Sequence, residues 1–169
     1  MVRIRGDDAR MIVKGLIDED FVNYKKPSMV IMFPNCSFKC DMECGTQVCQ
    51  NGALAAAPNI EISPEKLINR YLDNNITSAI VFAGLEPFDS YDDMIELIIR
   101  FREQNCCDDI IIYTGYTEEE IKSRIDFAEI KKYKPIIIKY GRFIPNSSSH
   151  FDNTLGVVLK SKNQYAKEI

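Results

Sequence analysis

Histidine, basic charge and long apolar runs are all scarce in this sequence of 169 residues. His150 is the single histidine, so the chain offers no second Cys or His pair of the kind that a two-knuckle zinc site requires. The 25 acidic residues exceed the 21 basic ones, for a formal net charge of −4, and no basic stripe supports nucleic-acid binding. The apolar runs are far shorter than the roughly 20 residues of a membrane-spanning helix. These absences argue against a nucleic-acid-binding or membrane protein.

The amino-terminal segment also lacks the apolar core of a signal peptide, because Asp7 and Asp8 follow residues 1–5 almost directly. We therefore expect a cytoplasmic protein. Apolar residues make up 46% and charged residues 27% of the chain, which is typical of a soluble globular protein. The length suffices for one sizeable core and is too short for two comfortable domains, so we predict a single domain over residues 1–169.

Cysteine, in contrast, is concentrated in one loop. Four of the six cysteines follow an apolar, strand-like run at residues 29–33; they are Cys36, Cys40, Cys44 and Cys49. In a chain without a secretory signal, cysteines favour metal or redox use over a disulfide framework. Thiolates crowded on one loop repel one another unless an iron–sulfur cluster or zinc neutralises them. The loop therefore predicts a soft-metal site, and four thiols on one loop leave zinc open beside iron.

Apolar runs and helix-capping residues alternate along the rest of the chain. Strands are predicted at residues 28–33, 78–83, 109–113 and 135–139, with a fifth at 155–159. Helices are predicted to begin at three capping residues, Ser63, Ser90 and Thr117. This alternation predicts an α/β fold with a mainly parallel sheet and right-handed crossovers. We divide the domain into an N-terminal extension (1–27), a βα core (28–160) and a C-terminal tail (161–169).

Polar and glycine-rich segments follow each predicted strand. They are the cysteine loop, the segment 84–87 (Gly-Leu-Glu-Pro), the segment 114–116 (Thr-Gly-Tyr) and the segment 139–142 (Lys-Tyr-Gly-Arg). Ligands of parallel sheets bind at the carboxyl ends of the strands. These segments are therefore expected to meet in one site.

The cysteine loop resembles the cluster loop of radical S-adenosylmethionine (SAM) enzymes, in which Cys-x3-Cys is followed by an apolar residue and a third cysteine. The family's gap before the third cysteine is much shorter than the eight residues between Cys40 and Cys49. We prefer Cys49 as the third ligand, since Val48 supplies the apolar neighbour and Asn51 a trailing amide. Residues 41–47 would then be an insertion, and Cys44 is the alternative third ligand.

Later segments resemble one branch of that family. Gly-Leu-Glu-Pro at 84–87 is similar to the family's Gly-Gly-Glu-Pro motif, with Leu85 in place of the second glycine. Residues 113–117, 140–143 and 161–164 resemble signatures of anaerobic ribonucleoside-triphosphate reductase activating proteins. Lys139 and Tyr140 depart from that pattern, which has an acidic residue before the glycine.

The resemblance implies a partial (βα) TIM-like barrel, because a complete barrel needs roughly 200 residues or more. It implies a [4Fe-4S] cluster on Cys36, Cys40 and Cys49, with SAM bound to the remaining iron. The residues implied to contact SAM are Val48, Gly84, Leu85, Glu86, Thr114 and Lys139.

The resemblance further implies a radical SAM oxidoreductase of anaerobic metabolism, with a 5′-deoxyadenosyl radical as its product. Its protein substrate would be a larger glycyl-radical enzyme, an anaerobic ribonucleotide reductase, and its electron donor a flavodoxin-type or ferredoxin-type protein. Two alternatives stay open. One is a radical SAM enzyme acting on another peptide or a small molecule, and the other is a non-catalytic iron–sulfur or zinc module.

Overall fold

A mixed β-sheet flanked by helices forms the centre of the molecule. The structure is a computed structural model that describes residues 4–6, 9–125 and 127–169. Its strands are β1 (Met11–Val13), β2 (Gly15–Asp20), β3 (Ser28–Phe33), β4 (Ile60–Ile62), β5 (Ala79–Gly84), β6 (Asp109–Tyr113), β7 (Ile136–Tyr140), β8 (His150–Asp152), β9 (Val157–Leu159) and β10 (Tyr165–Glu168). Its α-helices are α1 (Lys39–Cys44), α2 (Gly52–Ala56), α3 (Pro64–Leu72), α4 (Tyr91–Glu103), α5 (Glu118–Arg124) and α6 (Phe127–Ile130). Two short 3-10 helices cover Pro87–Ser90 and Lys131–Tyr133.

The main sheet has six strands in the order β10-β7-β6-β5-β3-β2. The four inner strands, β3, β5, β6 and β7, run parallel to one another. The two edge strands are antiparallel to their neighbours, β2 to β3 and β10 to β7. The α/β prediction is therefore confirmed, and the sheet is mixed, with a parallel centre and antiparallel edges, because residues from the predicted extension and tail supply its edges.

The inner strands are almost entirely apolar because both faces of the sheet are covered. One face packs against α3 and α4, which bury Leu67, Met94 and Leu97 completely. The other face lies under Leu155 and Leu159 of the β8–β9 region, together with Tyr24. Runs such as Ile110-Ile111-Ile112 therefore contribute side chains to both cores.

The predicted fifth strand is only partly right. Residues 157–159 do form β9, but β9 pairs antiparallel with β8 in a separate two-stranded sheet. A second such pair joins β1 of the amino-terminal region to β4. The helices of the described ranges are all too short or too polar to span a lipid bilayer.

Candidate cluster and cofactor site

One cavity of about 430 Å³ opens at the carboxyl ends of the parallel strands. Because β3, β5, β6 and β7 share a direction, the segments that follow them meet at this edge of the sheet. Eight residues predicted for the site line the cavity: Cys36, Cys40, Cys49, Gly84, Leu85, Glu86, Thr114 and Lys139. Val48 and the alternative ligand Cys44 do not line it. The structure thus brings together most of the predicted site residues.

The cysteine loop folds back on itself between Cys40 and Cys49. The helix α1 begins after Phe38, which has φ 51, and ends at Gly45, which has φ 66. Cys44, the last residue of α1, is exposed. The chain then returns so that Cys49 reaches the cavity wall beside Cys36 and Cys40. Cys49 therefore faces the same cavity as Cys36 and Cys40, whereas Cys44 does not, and the identity of the third ligand stays a prediction.

The three cavity thiols are free and partly buried. The Phe38 amide donates to Cys36 Sγ at 3.2 Å, and the Asn51 amide donates to Cys49 Sγ at 3.4 Å. Amide donors of this kind stabilise thiolates in iron–sulfur sites and tune their potentials. Burial raises the pKa of Cys36 to about 11, and burial followed by the charge of Cys49 raises the pKa of Cys40. A metal must therefore displace protons from neutral thiols as it binds.

Three thiols line the cavity, one fewer than the four ligands of a structural zinc site. In the described ranges, no group of three or more His, Cys, Asp or Glu side chains is arranged to hold one metal ion. A tetrahedral zinc site needs four ligands at about 2.0–2.3 Å from one centre, whereas an iron–sulfur cluster distributes its thiolates over several irons. The donor set of three thiols around one cavity therefore fits a cluster.

The Gly84 turn lies against the end of β3. Gly84 has φ 95, and a Cβ on it would lie 2.6 Å from the Phe33 amide nitrogen. Asn51 Nδ2 donates to the Gly84 carbonyl at 2.7 Å. Only glycine fits so close to a neighbouring backbone. The side-chain amide of Asn51 connects this turn to the cysteine loop.

Glu86 is almost fully buried, with 5% of its surface exposed. Its carboxylate accepts hydrogen bonds from Thr114 Oγ1 at 2.8 Å, from the Gly115 amide at 2.9 Å and from the Phe88 amide at 3.2 Å. Burial raises the pKa of Glu86 to about 7, although these hydrogen bonds oppose the shift. Glu86 and Thr114 therefore hold the ends of β5 and β6 together, and their predicted contact with SAM stays a prediction.

Two cations line the same cavity. Lys139, near the end of β7, is 7% exposed, and its Nζ donates to the Gly141 carbonyl at 3.0 Å. Burial lowers the pKa of Lys139 to about 8, against the opposing charges of Glu86 and Cys40. Arg142 donates from Nη2 to Glu120 Oε1 at 2.7 Å. These charges offset the negative charge of cysteine thiolates or of a bound carboxylate.

Arg142 and Asp41 are site residues that the sequence predictions missed. Arg142 belongs to the segment 140–143, which the resemblance had singled out, so its signal was present. Asp41 Oδ1 accepts hydrogen bonds from the backbone amides of both Val48 and Cys49. No sequence signal marks Asp41, because its partners, Val48 and Cys49, lie at the far end of the insertion.

Comparison with known families gives one match. A family model described as a 4Fe-4S single cluster domain matches residues 28–165, which is most of the chain. Comparisons with curated proteins and with solved structures found no match.

Proposed function

Because the chain belongs to the 4Fe-4S single cluster domain family, we propose that Cys36, Cys40 and Cys49 hold a [4Fe-4S] cluster in a radical SAM enzyme. The observation that carries this proposal is the shared cavity. Three free thiols of one loop face the same space as the ends of four parallel strands. Three thiolates leave one iron of a four-iron cluster without a protein ligand, which is the position that SAM takes in enzymes of this type.

The cavity supports SAM as the second ligand by its size and its charges. Its volume of about 430 Å³ lies within the roughly 300–1,000 Å³ of ligand pockets. Lys139 is a buried cation of the kind that pairs with a carboxylate, such as that of SAM. The backbone of the Gly84 turn lies beside the cysteine loop, where its carbonyl accepts from Asn51. Leu54 and Leu85 contribute apolar surface to the wall of the cavity. A cluster held by Cys36, Cys40 and Cys49 and reduced by the electron donor would supply the electron that splits bound SAM into methionine and a 5′-deoxyadenosyl radical.

The residues around the cavity position and shield this chemistry. Glu86, with Thr114 and the Gly115 amide, fixes the spacing of β5 and β6. Arg142 lines the cavity and binds Glu120 of α5 at 2.7 Å, whereas its longer contact, 3.4 Å from its Nε to the exposed Glu43, is a surface ion pair that contributes little to the cavity wall. These contacts hold the cavity walls in place without using any of the three cavity thiols.

The proposed substrate is a glycine residue of a larger glycyl-radical enzyme, an anaerobic ribonucleotide reductase. Apolar side chains at the cavity mouth support a macromolecular substrate: Val22 and Val158 line the cavity and are 73% and 62% exposed. A flavodoxin-type or ferredoxin-type protein is the proposed electron donor. The resemblance of residues 113–117 and 140–143 to the activating proteins favours this substrate over a small metabolite.

Anaerobic reconstitution tests the proposed function. The protein, loaded with iron and sulfide and reduced with dithionite, is expected to hold about four irons per chain and to release methionine and 5′-deoxyadenosine from SAM. Addition of an anaerobic ribonucleotide reductase should then yield a glycyl-radical signal by electron paramagnetic resonance.

The same experiment separates the alternatives. SAM cleavage without a radical on the reductase would favour another peptide or a small-molecule substrate. Iron binding without cleavage would indicate a non-catalytic module, and one zinc per chain without iron would overturn the proposal.

A further inference from the structure

The insertion between Cys40 and Cys49 has a defined fold. It is built from α1, a left-handed turn at Gly45 and a return segment to Cys49. An insertion of this length does not by itself fix the distance between the Cys40 and Cys49 thiols, because a flexible loop of that length permits many end-to-end distances. Some contact must fix the return segment against α1.

That contact is made by one carboxylate oxygen. Asp41 Oδ1 accepts the Val48 amide at 2.7 Å and the Cys49 amide at 2.8 Å. Asp41 directly follows Cys40 in the sequence, so the oxygen joins the backbone beside the second thiol to the backbone of the third. Hydrogen bonds to an ionised acceptor are roughly twice as strong as neutral ones.

We propose that Asp41 is a positioning residue that sets Cys49 as the third cluster ligand despite the insertion. Cys44 is then left outside, because α1 carries it to the surface and away from the cavity. The inference rests on the proposed function insofar as Cys49 binds the cluster. Asp41 does not line the cavity and acts through the backbone of Cys49.

The first measurement uses the metal-free protein, in which the two hydrogen bonds can be followed directly. Amide exchange of Val48 and Cys49, measured by nuclear magnetic resonance, should be roughly tenfold or more faster in Asp41→Ala than in wild type, because each amide loses a charged acceptor. Asp41→Asn keeps a neutral carbonyl oxygen at this position, so its exchange rates should fall between those of Asp41→Ala and wild type. Unchanged exchange in Asp41→Ala would overturn the inference.

The second measurement follows loss of the reconstituted cluster to an iron chelator. Asp41→Ala should lose iron roughly tenfold faster than wild type, which corresponds to about 1.4 kcal/mol, and the rate of Asp41→Asn should fall between the two. Glu43→Ala is the matched control, since it removes a carboxylate from the same helix whose partner is Arg142; it should lose iron at the wild-type rate.

The outcomes separate this inference from the proposed function. If wild type holds a cluster and Asp41→Ala loses it equally slowly, the inference fails while the proposed function stands. If Glu43→Ala behaves like Asp41→Ala, the effect belongs to the charge of α1 and the inference also fails. If wild type takes up no iron, the proposed function fails, and the exchange rates alone still report whether Asp41 holds the loop.

Discussion

At the scale of single residues, the candidate site combines partly buried thiols with a buried carboxyl and a buried ammonium group. Cys36, Cys40 and Cys49 line one cavity with Glu86 and Lys139. Burial is costly for the charged forms of Cys36, Cys40, Glu86 and Lys139, which is why their pKa values shift toward the neutral form. A bound metal and a zwitterionic ligand would supply the missing charge partners.

The choice of third ligand gives a prediction at this scale. Cys49→Ala should abolish cluster binding because it removes a cavity thiol, whereas Cys44→Ala should retain about the wild-type iron content, because Cys44 is exposed on α1. Iron and sulfide analysis after anaerobic reconstitution measures both. The reverse pattern would assign Cys44 as the ligand.

The buried Glu86 predicts a pH dependence of stability in the metal-free protein. The fold raises the pKa of Glu86 from its ordinary value of 4.5 to about 7, so the folded state holds a proton that the unfolded chain has released. The free energy of unfolding should therefore fall by about 3 kcal/mol as the pH rises through this range. Urea unfolding between about pH 5 and pH 7.5 measures the slope.

Two variants make that prediction specific. Glu86→Gln should flatten the slope, because the side chain no longer titrates. Glu65→Gln removes an exposed carboxyl of α3 and should keep the wild-type slope. An equal slope in wild type and Glu86→Gln would assign the pH dependence to other groups.

At the scale of elements, the site depends on close contacts between strand ends. The Gly84 turn at the end of β5 touches the backbone of Met32 and Phe33 in β3. It is held from the other side by Asn51 of the cysteine loop. Three segments that are distant in sequence therefore share one small region of backbone.

This contact predicts a large cost for a single methyl group. Gly84→Ala should destabilise the metal-free protein by about 3 kcal/mol, because a left-handed backbone and a clash with β3 combine. Gly45→Ala is the matched control, since Gly45 also has a positive φ but a Cβ there meets nothing within 4 Å; it should cost about 1 kcal/mol. Denaturant unfolding compares the two, and equal costs would mean that the close approach to β3 is unimportant.

Sequence patterns were most informative for elements with strong local signals. The runs at 28–33 and 109–113 became β3 and β6 with those bounds, because strands buried on both faces are continuously apolar. The capping box at Thr117 is present with both hydrogen bonds. At Ser90 the helix α4 begins where predicted, but the Ser90 hydroxyl makes no capping hydrogen bond and accepts from Asn35 Nδ2 instead, since the 3-10 turn Pro87–Ser90 precedes α4.

At the scale of the whole molecule, the pairing of strands that are distant in sequence sets features that the sequence pattern does not predict. The tail segment that forms β10 is polar and only four residues long, and it joins the sheet because β7 offers an open edge. The segment at 157–159 has the composition of a core strand yet pairs with β8 over one face. Strand order and edge pairing depend on tertiary contacts that no local pattern encodes.

The residues that line the cavity were more predictable than the contacts that surround it. Parallel strands bring their carboxyl ends to one edge whatever the details of the helices, so the cysteine loop could be placed beside Glu86 and Lys139 in advance. The inward position of Arg142 and the contact of Asp41 with the Cys49 amide depend on the folded insertion. Those features required the structure.

The central claim is that three thiolates of one loop leave one iron of a cluster open to SAM. Electron paramagnetic resonance of the anaerobically reconstituted and reduced protein, recorded with and without SAM, tests it most directly. We predict a [4Fe-4S]⁺ signal whose g values shift when SAM is added, because SAM changes the ligands of one iron. Identical spectra in the presence and absence of SAM, from a protein that holds its full complement of iron, would contradict the claim.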